Sequence, residues 1–112
     1  MNNKLLSAIG MCKKAGKLVM GFDAVATAMR QGQVRLLALT GDISPKSAKE
    51  IIRIAAQYSV KHLTIDSATM DDIKRTVGKR AGILAITDQG LADSVAAKVA
   101  VLRPRQVEEE SQ

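Results

Sequence analysis

Four short apolar runs limit how this chain can fold. Lys17-Leu18-Val19-Met20, Arg35 to Thr40, His62-Leu63-Thr64-Ile65 and Ile83-Leu84-Ala85-Ile86 alternate with segments of helical period. A strand with one face in water alternates apolar and polar side chains, whereas a strand covered on both faces does not. Leu36-Leu37-Ala38-Leu39 and Ile83 to Ile86 show no alternation, so helices are expected on both sides of the sheet. The order α–β–α–β–α–β–α–β–α predicts an α/β fold: a single-domain three-layer α/β/α sandwich whose four-stranded mixed sheet carries helices on both faces. The first strand is short and is expected to run antiparallel at an edge. Residues 1–102 form the domain in this reading, and 103–112, with Pro104 and Glu108-Glu109-Glu110, are a frayed acidic tail.

The helices follow from periodicity and end signals. Leu5, Ile9 and Cys12, with Leu6 beside them, make one stripe from about Asn3 to Gly16, which places Cys12 as a small buried hydrophobe. Phe22, Val25 and Met29 mark a second helix from Phe22 to Gln31 that stops at Gly32. Asp23 falls in its first turn, where a carboxylate caps or complements the helix dipole. Ser44-Pro45 starts the third helix, with a capping hydroxyl and proline in the first position. Its buried face is read as Ala48, Ile51, Ile52, Ala55 and Ser59, with Lys46, Lys49 and Arg53 outward. Ser67 is expected to cap the fourth helix, with Met70, Ile73 and Val77 inward. That helix runs into Gly78-Lys79-Arg80-Ala81-Gly82, a small basic loop expected to be mobile. Asp88 caps the last helix, through Leu91, Val95, Ala96 and Val99.

Several chemistries lack their residues. The single cysteine excludes an internal disulfide and a thiolate zinc cluster, and the single histidine leaves no histidine cluster for a metal; His62, at a strand end, is read as a residue without a catalytic role. Asp71 and Asp72 are adjacent on a helix, so their side chains diverge by about 100° and suit the helix dipole better than a shared metal. Gly16 and Gly21 have the glycine spacing of a phosphate-binding P-loop, but Phe22 and Asp23 follow where that motif needs Lys and Ser/Thr. No strand carries the glycine pattern of a dinucleotide site, and the paired acids of a receiver domain are missing. No apolar run approaches the roughly 18 residues of a membrane span. A reduced, cytoplasmic setting is expected. No catalytic residue, cofactor, metal or small-molecule substrate is expected, and no membrane partner.

Charge points to a polyanion. The formal net charge is +6 and the isoelectric point about 9.8. Residues 1–66 hold ten Lys/Arg against four Asp/Glu, which sum to +6, and residues 67–112 hold seven of each, which sum to zero. A basic half of this kind suits nucleic acid. With only Phe22 and Tyr58 as aromatics, recognition by stacking bases on an aromatic platform is not expected. Gly21 begins a helix whose first amides have no partner inside the helix and point outward with partial positive charge, a setting for an anion. Lys13, Lys14 and Lys17 lie just upstream in sequence. RNA is the expected partner of this helix end.

The stretch GKLVMGFDAVATAMRQGQVRLLALTGD, the Ser-Pro-started helix and GKRAGILAITDQG together resemble the ribosomal L-seven-Ae/L-thirty-e superfamily over about residues 4–100. The chain is similar to a short bacterial branch of stand-alone, ribosomal-protein-like members. The resemblance implies a small α/β/α sandwich, kink-turn RNA as the ligand class, and association with the ribosome or another structured RNA. It also implies a contact surface at the start of the second helix and in the loop before the last strand. The residues assigned to RNA on these combined grounds are Lys13, Lys14, Lys17, Gly21, Phe22, Asp23, Thr27, Lys79, Arg80, Ala81 and Gly82. Of the family's reading pattern Gly21 is matched and Asp23 stands at a polar reader, while Ala24 and Thr27 replace an acid or amide and a lysine. Three functions are in play: a non-enzymatic RNA-binding protein, a protein-interaction module that has lost RNA affinity, and an RNA-modifying enzyme. The last lacks a visible nucleophile or acid–base pair.

Overall fold

In the computed structural model, which describes residues 3–102, nine elements alternate as expected: α1 (Asn3–Lys14), β1 (Leu18–Met20), α2 (Phe22–Arg30), β2 (Leu36–Thr40), α3 (Pro45–Gln57), β3 (His62–Ile65), α4 (Met70–Val77), β4 (Ile83–Ile86) and α5 (Gln89–Leu102). The strands form one sheet in the order β1-β4-β2-β3. β1 is an edge strand, antiparallel to its neighbour β4, and β2 pairs parallel with β3. β4 is also antiparallel to β2. The reversed strand is therefore β4, while β1, β2 and β3 share a direction.

Every residue of β2 and β4 is buried, as their unbroken apolar runs require. One face of the sheet packs Leu36, Ala38, Leu84 and Ile86 against Leu5, Ile9 and Cys12 of α1, Ile73 of α4 and Val95 of α5. The other packs Leu37, Leu39 and Ala85 against Val25 and Met29 of α2 and Ile51 and Ala55 of α3. Each fully buried Leu or Ile in these layers contributes about 1.5–3 kcal/mol. The layers thus hold α1, α4 and α5 on one side and α2 and α3 on the other.

Local readings were corrected where tertiary contacts intervene. Ser59 is exposed and adopts a left-handed φ of 59° just beyond α3, so it is not part of the buried face; Ile54 is buried instead. Thr69, not Ser67, caps α4: its hydroxyl accepts from the Asp72 amide, and the Asp72 carboxylate accepts from the Thr69 amide. Ala92 joins the buried face of α5. The acidic tail lies outside the described residues.

The end of β2 is interlocked with the β3–α4 turn. Gly41 N–H donates to the Ala68 carbonyl at 2.9 Å. A Cβ on Gly41 would lie 2.6 Å from the Asp66 carbonyl oxygen, so only glycine lets the two backbones come this close. The buried Thr40 hydroxyl donates to Asp42 at 2.9 Å, and Asp42 also accepts from the Met70 amide at 3.0 Å. The Thr-Gly-Asp that closes LLALTGD thus holds α4 onto the sheet.

Candidate nucleic-acid interface

The reversal of β4 brings two distant stretches together. The loop preceding β4 arrives at the carboxyl ends of β1 and β2, the edge from which α2 departs. Met20 pairs with Leu84 on one side of β4, and Leu39 with Ile83 on the other. Gly21 N–H donates to the Ile83 carbonyl at 2.9 Å, and Thr40 N–H donates to the Gly82 carbonyl at 3.0 Å. Sixty residues of sequence separate Gly21 from Ala81, yet the start of α2 and the 78–82 loop share one edge.

At the start of α2, Gly21 has φ 98° and ψ 153°. Side chains strain this backbone region, and a Cβ here would meet nothing within 4 Å, so the glycine requirement is conformational. Among the described residues no side chain caps α2. α3 is capped by Ser44, α4 by Thr69, and α5 by Asp88, which accepts from the Leu91 amide at 2.9 Å. The first-turn amides of α2 therefore keep their donor capacity for an external acceptor. Asp23 stands exposed in that first turn and complements the dipole without capping it. Thr27 is exposed one turn on, on the same side as Asp23 and Ala24, and Phe22 is half-buried against Val25, Leu39 and their neighbours.

The loop is tied down at both ends, by the Gly78 N–H to Lys74 carbonyl bond and the Thr40 N–H to Gly82 carbonyl bond. Gly78 terminates α4 in a left-handed conformation at φ 86°. Arg80 Nε donates to Asp71 at 3.0 Å, an ion pair open to solvent on both sides and of small energetic weight. Lys79 is exposed. Ala81 and Gly82 are buried and offer little surface. They pack the loop against the sheet so that Lys79 and Arg80 project.

The three upstream lysines are not brought to this edge. The Lys17 carbonyl accepts from Thr87 N–H at 3.0 Å, which puts Lys17 at the start of β1 and at the far end of the sheet from Gly21. Lys13 and Lys14 border a groove between α1 and the last turn of α4, together with Thr76 and Val77. Short separation in sequence had suggested one cluster, but a strand advances about 3.3 Å per residue and carries its two ends apart. What sequence reasoning missed at the loop edge is Asp42, whose acceptance from Met70 spans 28 positions and carries no local signal.

Cys12 is fully buried. Burial pushes its thiol above the ordinary cysteine range, and the negative charge of Asp88 adds to this. Among the described residues no group of three or more His, Cys, Asp or Glu could hold a metal ion. No helix among them is long and apolar enough to cross a membrane.

Comparison with known proteins agrees with this architecture. The sequence profile of the ribosomal protein L7Ae/L30e/S12e/Gadd45 family matches residues 3–96. The chain is 32% identical over 88 residues to the RNA-binding protein YlxQ of Bacillus subtilis, covering 78% of this chain and 86% of that protein. It is 30% identical over 95 residues to the large ribosomal subunit protein eL30B of Schizosaccharomyces pombe, covering 81% and 79%. A solved protein of unknown function from Bacillus halodurans superposes with a TM-score of 0.80 at 24% identity, over 87% of this chain and 97% of the other. The 15.5kD RNA binding protein of Giardia lamblia superposes at 0.70 and 15% identity, over 87% and 82%. At these identities the two structures show the fold alone.

Proposed function

Because the chain belongs to the L7Ae/L30e/S12e/Gadd45 family, we propose that it is a non-enzymatic RNA-binding protein that works in the cytoplasm on ribosomal or another structured RNA. The observation that carries this reading is the juxtaposition of the uncapped α2 N-terminus with the basic loop before β4. It is fixed by the Gly21 N–H to Ile83 carbonyl bond of 2.9 Å. The names of the two sequence relatives, one RNA-binding and one ribosomal, support the same partner class. In this site the α2 amides and Lys79 and Arg80 meet phosphates, which provides affinity without sequence information. Asp23, and Thr27 beside it, face the same ligand and can hydrogen-bond base edges. Asp23 repels phosphate but accepts from a guanine edge, so it acts on discrimination rather than on affinity.

Ala24 and Thr27 stand where the family's kink-turn pattern has an acid or amide and a lysine. The proposed ligand is accordingly structured RNA in general, with a kink-turn as one member to be tested. Ultraviolet crosslinking in cell extract tests the reading, with the RNAs sequenced and the crosslinked peptides mapped. Ribosomal or other structured RNA joined to peptides spanning Gly21–Thr27 and Lys79–Arg80 is the expected result. Recovery of protein partners with no RNA at these peptides would favour the interaction module instead.

A further inference from the structure

The edge of the sheet opposite the α2 N-terminus is the more basic of the two. Lys17 precedes β1, Arg35 precedes β2 and Lys61 precedes β3, and all three are exposed. Their backbones are tied into the sheet. The Lys17 carbonyl accepts from Thr87 N–H at 3.0 Å, Arg35 N–H donates to the Ile86 carbonyl at 2.8 Å, and the Lys61 carbonyl accepts from Leu37 N–H at 2.9 Å. With strands about 4.8 Å apart and β4 lying between β1 and β2, the three residues form a row roughly 14 Å long. Arg30, exposed in the last turn of α2, adds a fourth cation at this end. The acids near this end are Asp88, which is engaged in capping α5, and Asp93 one turn on, which accepts from the Gln89 side chain at 2.8 Å. At the loop edge Lys79, Arg80 and Lys46 in the first turn of α3 are instead accompanied by Asp23, Asp42, Asp66 and Asp71, with Arg80 paired to Asp71.

We propose that this amino-terminal edge, through Lys17, Arg35 and Lys61, is a second RNA-binding surface that takes the phosphate backbone of a duplex segment distinct from the one at α2. The proposal borrows its partner class from the RNA reading above but stands on a different site. Three exposed cations set along one edge within about 14 Å, their backbones tied into the sheet, suit a polyanion. Protein interfaces are depleted in lysine and centred on apolar or aromatic groups. Of the exposed large hydrophobic residues described, Tyr58 ends α3 and Met11 adjoins Cys12, whose carbonyl accepts from Lys17 N–H at 2.9 Å, so two separate side chains flank the row. Two isolated side chains are not the broad apolar face that a membrane-surface site requires. Because β2 alone spans five residues, about 17 Å, the two surfaces face away from each other. They would hold two helices of one RNA, or two RNAs, on either side of the sheet.

The test uses the full chain and a blunt RNA duplex without bulge or internal loop, followed by fluorescence anisotropy across a salt series. In the triple variant Lys17→Gln, Arg35→Gln, Lys61→Gln, low-salt affinity should fall about tenfold or more, and the slope of log K against log salt should flatten by roughly 2–3. Lys79→Ala with Arg80→Ala should keep most of the duplex affinity. Lysine acetylation footprinting of the unaltered chain, which does not depend on any variant folding, should show Lys17 and Lys61 protected by the duplex. Full duplex affinity in the triple variant, unprotected Lys17 and Lys61, or equally tight binding of polyglutamate would each overturn the proposal. Failure of the RNA reading at α2 looks different, since duplex binding at the row would persist while Gly21–Thr27 crosslinks to no RNA.

Discussion

α2 and α4 both begin at the carboxyl-terminal edge of the sheet, and their first turns are treated in opposite ways. The N-terminus of α4 receives the Thr69 hydroxyl, the Asp72 carboxylate reaching back to the cap, and Asp42 from the end of β2. The N-terminus of α2 begins on Gly21 and, among the described residues, receives no side chain. The same dipole and the same unsatisfied amides are present at both. At α4 they are consumed in fixing a helix to the sheet, and at α2 they stay open beside a basic loop. An aspartate stands at each end, but Asp42 is structural while Asp23 faces solvent.

The sharpest way to break this comparison is to remove both aspartates in turn. Asp42→Ala takes an acceptor from the Met70 amide and from the buried Thr40 hydroxyl. Losing the cap and leaving a buried polar group unpaired should together cost about 2–4 kcal/mol in urea unfolding. Asp23→Ala should stay within about 0.5 kcal/mol, since it removes an exposed first-turn charge that does not cap the helix. It should narrow the preference for a chosen RNA over a scrambled one. Equal destabilisation by the two substitutions would erase the distinction between a spent and an open helix end.

Gly21→Ala comes next. At φ 98° and ψ 153° a side chain should cost about 1–3 kcal/mol of backbone strain. RNA affinity should drop as well, because the strain is relieved by moving the amides that face the ligand. A variant of unchanged stability and affinity would show that α2 does not depend on this conformation.

Lys79→Ala with Arg80→Ala should leave stability within about 0.5 kcal/mol, because both side chains are exposed and the Arg80–Asp71 pair is solvated. Binding of the structured RNAs recovered by crosslinking should weaken on the order of tenfold whatever their sequence, with the salt slope flatter by about 2. A loss confined to one RNA would instead make the loop a reader of bases.

The smallest effect concerns α5, a third helix start, where the charge of the capping Asp88 also acts on Cys12. Burial raises the folded thiol above its unfolded value, so the folded state holds the proton more tightly. The associated stability is complete below the unfolded pKa, about 8.5, and is lost as pH rises from there through the raised folded value. Thermal melts should therefore decline above about pH 8.5, and Cys12→Ala, though less stable throughout, should lose that part of the slope. An unchanged slope would assign the alkaline decline to other groups.

Much of the fold was legible because its signals are local. Strand burial shows in the unbroken Leu36–Leu39 and Ile83–Ile86 runs, and helix starts show where Ser44 or Asp88 stands three residues before the amide it accepts from. Gly21 was legible as a helix start for the same reason, and the family pattern in those residues pointed to the loop before the last strand. The direction of β4 was not legible, because it depends on which strands become its neighbours. From that reversal follow the meeting of Gly21 with the 78–82 loop and the burial of Ala81 and Gly82, while the length of β1 carries Lys17 to the far edge, where the parallel strands also place Arg35 and Lys61. Asp42 and Met70, 28 positions apart, likewise meet only once β2, β3 and α4 have packed. Local chemistry along the chain determined the elements and their caps. Strand pairing, which joins residues without regard to their distance in sequence, decided which charges and which open amides share a surface.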